Sequence, residues 1–360
     1  MPYPPLTTLS SSTAPLLAWY RKNARDLPWR KTGDPYRIWV SEIMLQQTRV
    51  AAVLGYYVRF LEAFPSVEAL ANAPEERLMK QWEGLGYYSR ARNMQKAAKI
   101  VAAEKGGQFP PDYGDLLALP GIGDYTASAI ASAAFGRREP AVDGNVLRVF
   151  TRLTDCRDDI ADSKTKKAVR AALLAIMPTA PEEIRIFNQA WMELGAVVCA
   201  PNGPPKCASC PLAALCLGRA RGTAEALPVK AAKKPRRIEE KTVFVLLQNG
   251  KTALRQRADS GLLAGLWEFP ATPGTLDEAQ AAEVLSAWGM TAKNWCKRLT
   301  AKHIFTHIEW RMTGYVLESD GSGPADFFWA DKAALDALAV PSAFGKFLAE
   351  TRSILREAND

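Results

Sequence analysis

LALPGIGDYTASAI, residues 117–130, carries the strongest local fold signal in this chain. Its spacing predicts a helix that ends at Pro120, a tight turn at Gly121 and Gly123, and a second helix from about Asp124. The first amides of that second helix have no internal partner and lie at the positive end of its dipole. A nucleic-acid phosphate fits such a place. A plain helix–helix connection would use the same glycines, so the reading depends on what flanks it.

Upstream, PYRIWVSEIMLQQT (35–48) reads as a buried helix opened by Pro35. Glu42 sits there among Ile38, Trp39, Val40, Ile43, Met44 and Leu45. A carboxyl in an apolar wall keeps its proton to higher pH, as a general acid must. The alternative is a wet strip shared with Gln46. Downstream, AVDGNVLRVFTRL (141–153) places Asp143 where it would cap a helix. A capping carboxylate can also face a ligand where the helix end lines a cleft. Arg148 and Arg152 follow on one face, a turn apart.

Four of the six cysteines crowd into CAPNGPPKCASCPLAALC (199–216): Cys199, Cys207, Cys210 and Cys216. Four thiolates from one short loop suit a metal centre. A disulfide framework is the rival, in a large chain with no sign of export. Only Cys207 and Cys210 form a short knuckle, and the outer gaps of seven and five residues favour an iron–sulfur cluster over zinc.

The remaining composition sets the frame. A chain of 360 residues with 48% hydrophobic content is long enough for two domains. A net charge of +8 suits an anionic partner, and equally a basic solvated surface. No Lys or Arg precedes Arg21 and no apolar run approaches a membrane span, so the expected protein is soluble and cytoplasmic. Helical periodicity holds from Thr13 to Gly218. The charged stretch 226–241 reads as an interdomain linker. From 242 onward the texture is that of strands. Residues 242–257 form a hairpin signal around Asn249-Gly250, KHIFTHIEWRMTGYVLE (302–318) alternates, and 276–288 is helical. As a strand, 302–318 would put His303, Phe305 and His307 on one face. The expected fold is therefore α+β multidomain: a helical domain (1–225) with its hairpin at 112–130 and cysteine loop at 199–216, a linker, and an α+β domain (242–360).

LPGIGDYTA, then VDGNVLRV, then a Cys-x2-Cys-x5-Cys tail resemble the helix-hairpin-helix DNA glycosylase superfamily that carries a [4Fe–4S] cluster. SEIMLQQTRV and GLGYYSRARNM make the chain similar to the adenine DNA glycosylase family within it. The first cysteine gap is one residue longer than is usual there. GLLAGLWEFP (261–270) resembles a Nudix fold, but the helix after it lacks the Arg-Glu-x-x-Glu-Glu metal cluster of the hydrolases. The resemblance implies a recognition domain rather than a hydrolase.

What the resemblance implies for the site is specific. The substrate would be double-stranded DNA containing 8-oxoguanine:A or G:A, with the adenine flipped into a pocket. Glu42 would protonate the base and Asp143 would steady the sugar's positive charge. Asn145 and Tyr125 would support them. Arg25, Trp29, Arg30, Leu45 and Glu193 would form the adenine pocket. Gln47, Thr48, Leu85 and Tyr87 would act at the lesion as wedge residues, with Gly121 and Gly123 at the phosphate and Phe305, Thr306 and His307 over 8-oxoguanine. The four cysteines would hold a [4Fe–4S] cluster, and a monomer is expected. Tyr125 stands where the endonuclease III family has a Schiff-base lysine, implying a monofunctional enzyme. An endonuclease III-like enzyme for oxidised pyrimidines and a non-enzymatic cluster protein are the competing readings.

Overall fold

The computed structural model describes residues 9–231 and 235–357 and divides into two compact units. One contains the described residues up to Asn72 and from Arg92 to 231. The other contains 73–91 and 235–357.

Along the chain, the helices are α1 (Thr13–Asn23), α2 (Pro35–Leu45), α3 (Val50–Ala63), α4 (Val67–Ala71), α5 (Glu75–Trp82), α6 (Ser89–Glu104), α7 (Tyr113–Leu117), α8 (Asp124–Phe135), α9 (Gly144–Thr154), α10 (Ser163–Ile176), α11 (Pro181–Val197) and α12 (Leu217–Ala220). Some starts have a local cause in a capping side chain. Asp34 caps α2 by accepting the Tyr36 amide at 2.9 Å, with Pro35 at the first helical position. Helix α2 stops at Leu45, earlier than the 35–48 reading, because the chain turns at Gln46 and Gln47 takes φ +58°. Helix α8 is rich in small residues, and Ala127, Ala129, Ala131 and Ala134 are all buried. They let it pack closely against α2 and α11. Around α1, α9, α10 and α11 a core forms from Leu16, Leu17, Phe150, Leu173, Phe187 and Trp191. These packings bring the ends of α2, α8, α9 and α11 together.

The second unit is built on a seven-stranded sheet: β1 (Arg237–Gln248), β2 (Lys251–Gln256), β3 (Trp267–Glu268), β4 (Ala271–Pro273), β5 (Thr291–Ile304), β6 (Ile308–Asp320) and β7 (Phe327–Ala330). The order is β3-β2-β1-β6-β5, with β4 on β1 and β7 on β2; β1 and β6 run parallel. Successive β1 residues feed two cores. Val243, Val245 and Leu247 face one that includes Leu335, Phe344 and Phe347 from α14 (Lys332–Ala337), the turn after it and α15 (Gly345–Glu357). Phe244 and Leu246 face the other, with Ala281 and Leu285 of α13 (Glu278–Ala287).

Two expectations need correction here. The linker at 226–241 is shorter, because β1 already begins at Arg237 and pairs in register with β6 from Ile308. Residues 237–241 look like linker only because their partners lie far along the chain. Glu239 accepts the Trp310 indole N–H at 2.8 Å, and Lys241 sits 4.5 Å from that ring's centroid. The strand reading of 302–318 also fails at its centre. The chain reverses at Phe305–His307 between β5 and β6, so His303 and His307 do not share a strand face. Among the described residues, no helix is long and apolar enough to cross a membrane.

Candidate active site

The ends of those four helices enclose a cavity of about 500 Å3, a size that suits a single base-sized ligand. Glu42 on α2, Tyr125 on α8, Asp143 and Asn145 at the start of α9, and Glu193 on α11 all line it. So do Arg25, Trp29, Arg30, Leu45, Gln47 and Thr48. Residues far apart in sequence are thus collected at one place.

Tyr125 donates its hydroxyl to Oε2 of Glu42 at 2.8 Å. Burial raises the Glu42 carboxyl; the Tyr125 bond opposes this, Asp143 adds to it, and the result is about 7. The Tyr125 phenol is itself raised well above its usual value by burial and by Glu42 and Asp143. Asp143 both caps α9 and faces the cavity. Its Oδ1 accepts the Val146 amide at 2.7 Å and its Oδ2 accepts Asn145 Nδ2 at 2.7 Å. Burial raises this carboxyl too, and those two donors pull it back. Two acids therefore share a pocket in different surroundings, the arrangement that separates proton donor from charge stabiliser.

The far wall is a buried ion cluster. Glu193, fully enclosed, takes Arg25 Nε at 2.8 Å and Nη2 at 2.7 Å, the Arg25 amide at 3.0 Å, and Arg30 Nη2 at 2.7 Å. Burial would raise its carboxyl, but these cations outweigh that and hold it at about 2. Trp29 is buried edge-on to Tyr57.

Sequence reasoning missed Gln189, Met192 and Ala196 as cavity residues. With Glu193 they stand at i, i+3, i+4 and i+7 on one face of α11, so the periodicity around Glu193 was the available signal. Met192 places its sulfur 3.1 Å from the Tyr125 hydroxyl, and Gln189 accepts the Tyr20 hydroxyl at 2.5 Å.

Other expected residues lie elsewhere. At the hairpin, Gly121 takes φ +78°, where an added Cβ would meet Asn93 Cβ at 2.7 Å. Gly123 is different: its φ is −97°, which any residue adopts, and space is open around it. Its value is an uncovered approach to the first amides of α8. Leu85, Tyr87 and the loop Phe305-Thr306-His307 belong to the second unit, where the Tyr87 hydroxyl lies 2.9 Å from Thr306 Oγ1.

The four cysteines, none of them in a disulfide, ring a cavity of about 30 Å3. Among the described residues, no group of three or more His, Cys, Asp or Glu is drawn together as a single metal ion requires. The longer first gap is taken up by bends at 201–204, with Gly203 at φ +75°, and the loop recloses through Lys206 N–H to Val198 O at 3.0 Å. Arg152 donates to Cys199 Sγ at 3.3 Å and to Leu227 O at 2.9 Å. Arg148 ties the loop to the pocket: Nε donates to Cys199 O at 2.8 Å and Nη2 to Asn145 Oδ1 at 2.8 Å. The same Asn145 side chain donates to Asp143.

Comparison with known proteins agrees with this geometry. Residues 40–178 match the HhH-GPD superfamily base excision DNA repair proteins, and 242–350 match the NUDIX domain. The chain is 36% identical to the adenine DNA glycosylase of Homo sapiens, covering 86% of this chain and 67% of that protein. It is 36% identical to the adenine DNA glycosylase of Buchnera aphidicola subsp. Baizongia pistaciae (strain Bp), covering 71% and 72%. The fold is similar to a thermostable thymine-DNA glycosylase, with a TM-score of 0.52 at 29% identity, covering 60% of this chain and 97% of that one. The family match, the relatives and the shared fold make this chain a base-excision DNA glycosylase. Within that class, the chain belongs to the adenine DNA glycosylase family.

Proposed function

We propose that this protein releases adenine from duplex DNA where it is mispaired with 8-oxoguanine or guanine, acting as a monomer. The observation that carries the reading is Glu42: a carboxyl at about 7, held by Tyr125 in a base-sized pocket beside Asp143. Adenine extruded from the helix would enter that cavity. Glu42 gives its proton to N7 of the base. The electron pair of the glycosyl bond then leaves with the base, and positive charge grows on the sugar. Asp143 steadies that charge or bonds to the anomeric carbon; water then gives its hydroxyl to that carbon and its proton to the Glu42 carboxylate. Arg25, Arg30 and Glu193 offer fixed polar partners to the base edge, and Trp29 and Leu45 its apolar wall.

Among the described residues lining the cavity there is no lysine. That supports base removal without Schiff-base cleavage of the strand, and argues against the endonuclease III-like reading. The thiols of Cys199, Cys207, Cys210 and Cys216 would hold a [4Fe–4S] cluster, whose contribution is to brace the loop that anchors Arg148 and Arg152. The Phe305-Thr306-His307 loop, with Tyr87 bonded to Thr306, is the candidate reader of 8-oxoguanine; in the other unit, Gln47 and Thr48 are candidates to fill the space a flipped base leaves.

The test is single-turnover adenine release from 8-oxoguanine:A and G:A duplexes, comparing the parent protein with Glu42→Gln. Release should fall by roughly 10²-fold or more in the variant. Equal rates would end this reading, and efficient borohydride trapping on DNA would end the monofunctional one.

A further inference from the structure

The segment 73–91 lies within the helical half of the sequence but packs with the second unit. Its helix α5 buries Leu78, Met79 and Trp82 and ends at Trp82, with Glu83 capping it as the backbone leaves the helix. Two side chains at this end reach the main chain of residues more than 250 positions away. Lys80 Nζ donates to Leu338 O at 3.1 Å, and Glu83 Oε1 accepts the Val340 amide at 3.2 Å. Lys80 also pairs with Glu83 Oε2 at 2.7 Å, and the two side chains are only 30% and 23% exposed. A solvated surface pair contributes little; a partly buried pair that also satisfies main-chain groups fixes geometry.

What this clamp holds is the turn that follows. Gly84, Gly86 and Tyr87 all adopt positive φ, at 95°, 69° and 46°. Trp82 Nε1 donates to Gly86 O at 3.0 Å, and Arg90 Nη2 donates to Leu85 O and Gly86 O at 3.0 and 3.1 Å. The turn is thus a stiff continuation of α5. At its tip, Tyr87 meets Thr306. The unit therefore grips the turn twice, at its root through 338–340 and at its tip through the Phe305–His307 loop.

We propose that Lys80 and Glu83 are positioning residues that set the Gly84–Tyr88 turn against the 305–307 loop, and so set the preference for 8-oxoguanine over guanine opposite adenine. They act through Tyr87 and Thr306, without touching substrate. The inference rests on the function proposed above.

The test uses the full chain and single-turnover adenine release from 8-oxoguanine:A and G:A duplexes. Lys80→Met and Glu83→Gln should each lower the 8-oxoguanine:A rate about tenfold, as expected for loss of a charge-assisted contact. The G:A rate should fall far less, and its pH profile should stay unchanged. Lys80→Arg, which keeps the charge and a donor, should restore most of the preference. Thermal unfolding of each variant separates this effect from general loss of fold. A preference that survives in both variants, or equal losses on both duplexes, overturns the inference and leaves the proposed chemistry standing. A parent protein that releases both adenines equally fast overturns the inference and the lesion reading together.

Discussion

The Tyr125 hydroxyl lies 2.8 Å from Oε2 of Glu42 and donates to it. That bond favours the ionised carboxylate, burial favours the neutral acid, and burial wins, leaving Glu42 at about 7. Because Tyr125 occupies one oxygen, the other is left for the base. Adenine release should therefore be flat in mild acid and fall about tenfold per unit above a break near 7. In Tyr125→Phe the opposing bond is gone, so the break should move to higher pH while the plateau drops. A pH–rate series under single-turnover conditions checks both, and a break that stays put or moves down would contradict the assignment.

The same shift has a stability consequence. Glu42 is raised in the folded protein from 4.5 to about 7, so the folded state holds a proton that the unfolded chain has lost between those values. Its favourable contribution is complete below 4.5 and disappears as pH rises through about 7. At pH values above that, a neutral amide escapes the cost of ionising a buried acid. Glu42→Gln should then be more stable than the parent by ~3 kcal/mol, an inactive but sturdier protein. Urea unfolding at neutral-to-basic and acidic pH should show the gap closing in acid. A gap independent of pH would place its source elsewhere.

How far the sequence led is clearest at single residues. Asp143 was readable because a cap has a local signature: the Asn145 and Val146 groups that bind it lie within three positions. Cys199, Cys207, Cys210 and Cys216 line one small cavity because they lie in a single short loop. Glu42 was half readable, since its apolar neighbours predict burial but its Tyr125 partner lies 83 positions away. Without the family resemblance, no local pattern ties Arg25 to Glu193, 168 positions distant. Residues 237–241 look like linker because their stability comes from pairing with β6 and from Trp310 rather than from their own composition. Of the two hairpin glycines, only Gly121 takes a left-handed φ, and no local signal separates it from Gly123.

Glu193 gives a prediction of opposite sign. Its carboxyl is held at about 2 by Arg25 and Arg30 against the effect of burial. A depressed acid stabilises above its usual value of 4.5 and loses that contribution as pH falls toward 2. Glu193→Gln leaves two guanidinium groups facing an amide in a buried wall. It should cost ~3 kcal/mol at neutral pH, with the difference from the parent narrowing in acid. Denaturant unfolding at two pH values measures this, and a variant as stable as the parent at neutral pH would show that the cluster is not needed for folding.

Arg148 should matter to chemistry without touching substrate. It is buried and serves Cys199 O, Asn145 Oδ1 and Gly195 O at 2.8, 2.8 and 2.7 Å. A lysine ammonium cannot reproduce that fork of donors. Arg148→Lys frees Asn145 to rotate and loosens the group that holds Asp143. We expect kcat to fall about tenfold or more while DNA affinity stays near the parent's. An unchanged kcat would assign Arg148 to the loop alone.

The two hairpin glycines should separate folding from DNA binding. Gly121→Ala meets a left-handed φ of +78° and the Asn93 side chain at 2.7 Å, so it should lower Tm. Gly123→Ala meets neither obstacle, since its φ is −97° and nothing lies within 4 Å of the new methyl. Its Tm should match the parent's. That methyl would nevertheless stand where a phosphate must approach the first amides of α8. Affinity for duplex DNA should fall several-fold, equally for damaged and undamaged sequences, because phosphate contacts carry no base information. Turnover at saturating DNA should persist, since Glu42 and Asp143 are untouched. Titrations by fluorescence anisotropy on both duplexes decide the matter: unchanged affinity would remove the hairpin from the binding surface, and a loss confined to the lesion duplex would make it a reader rather than an anchor.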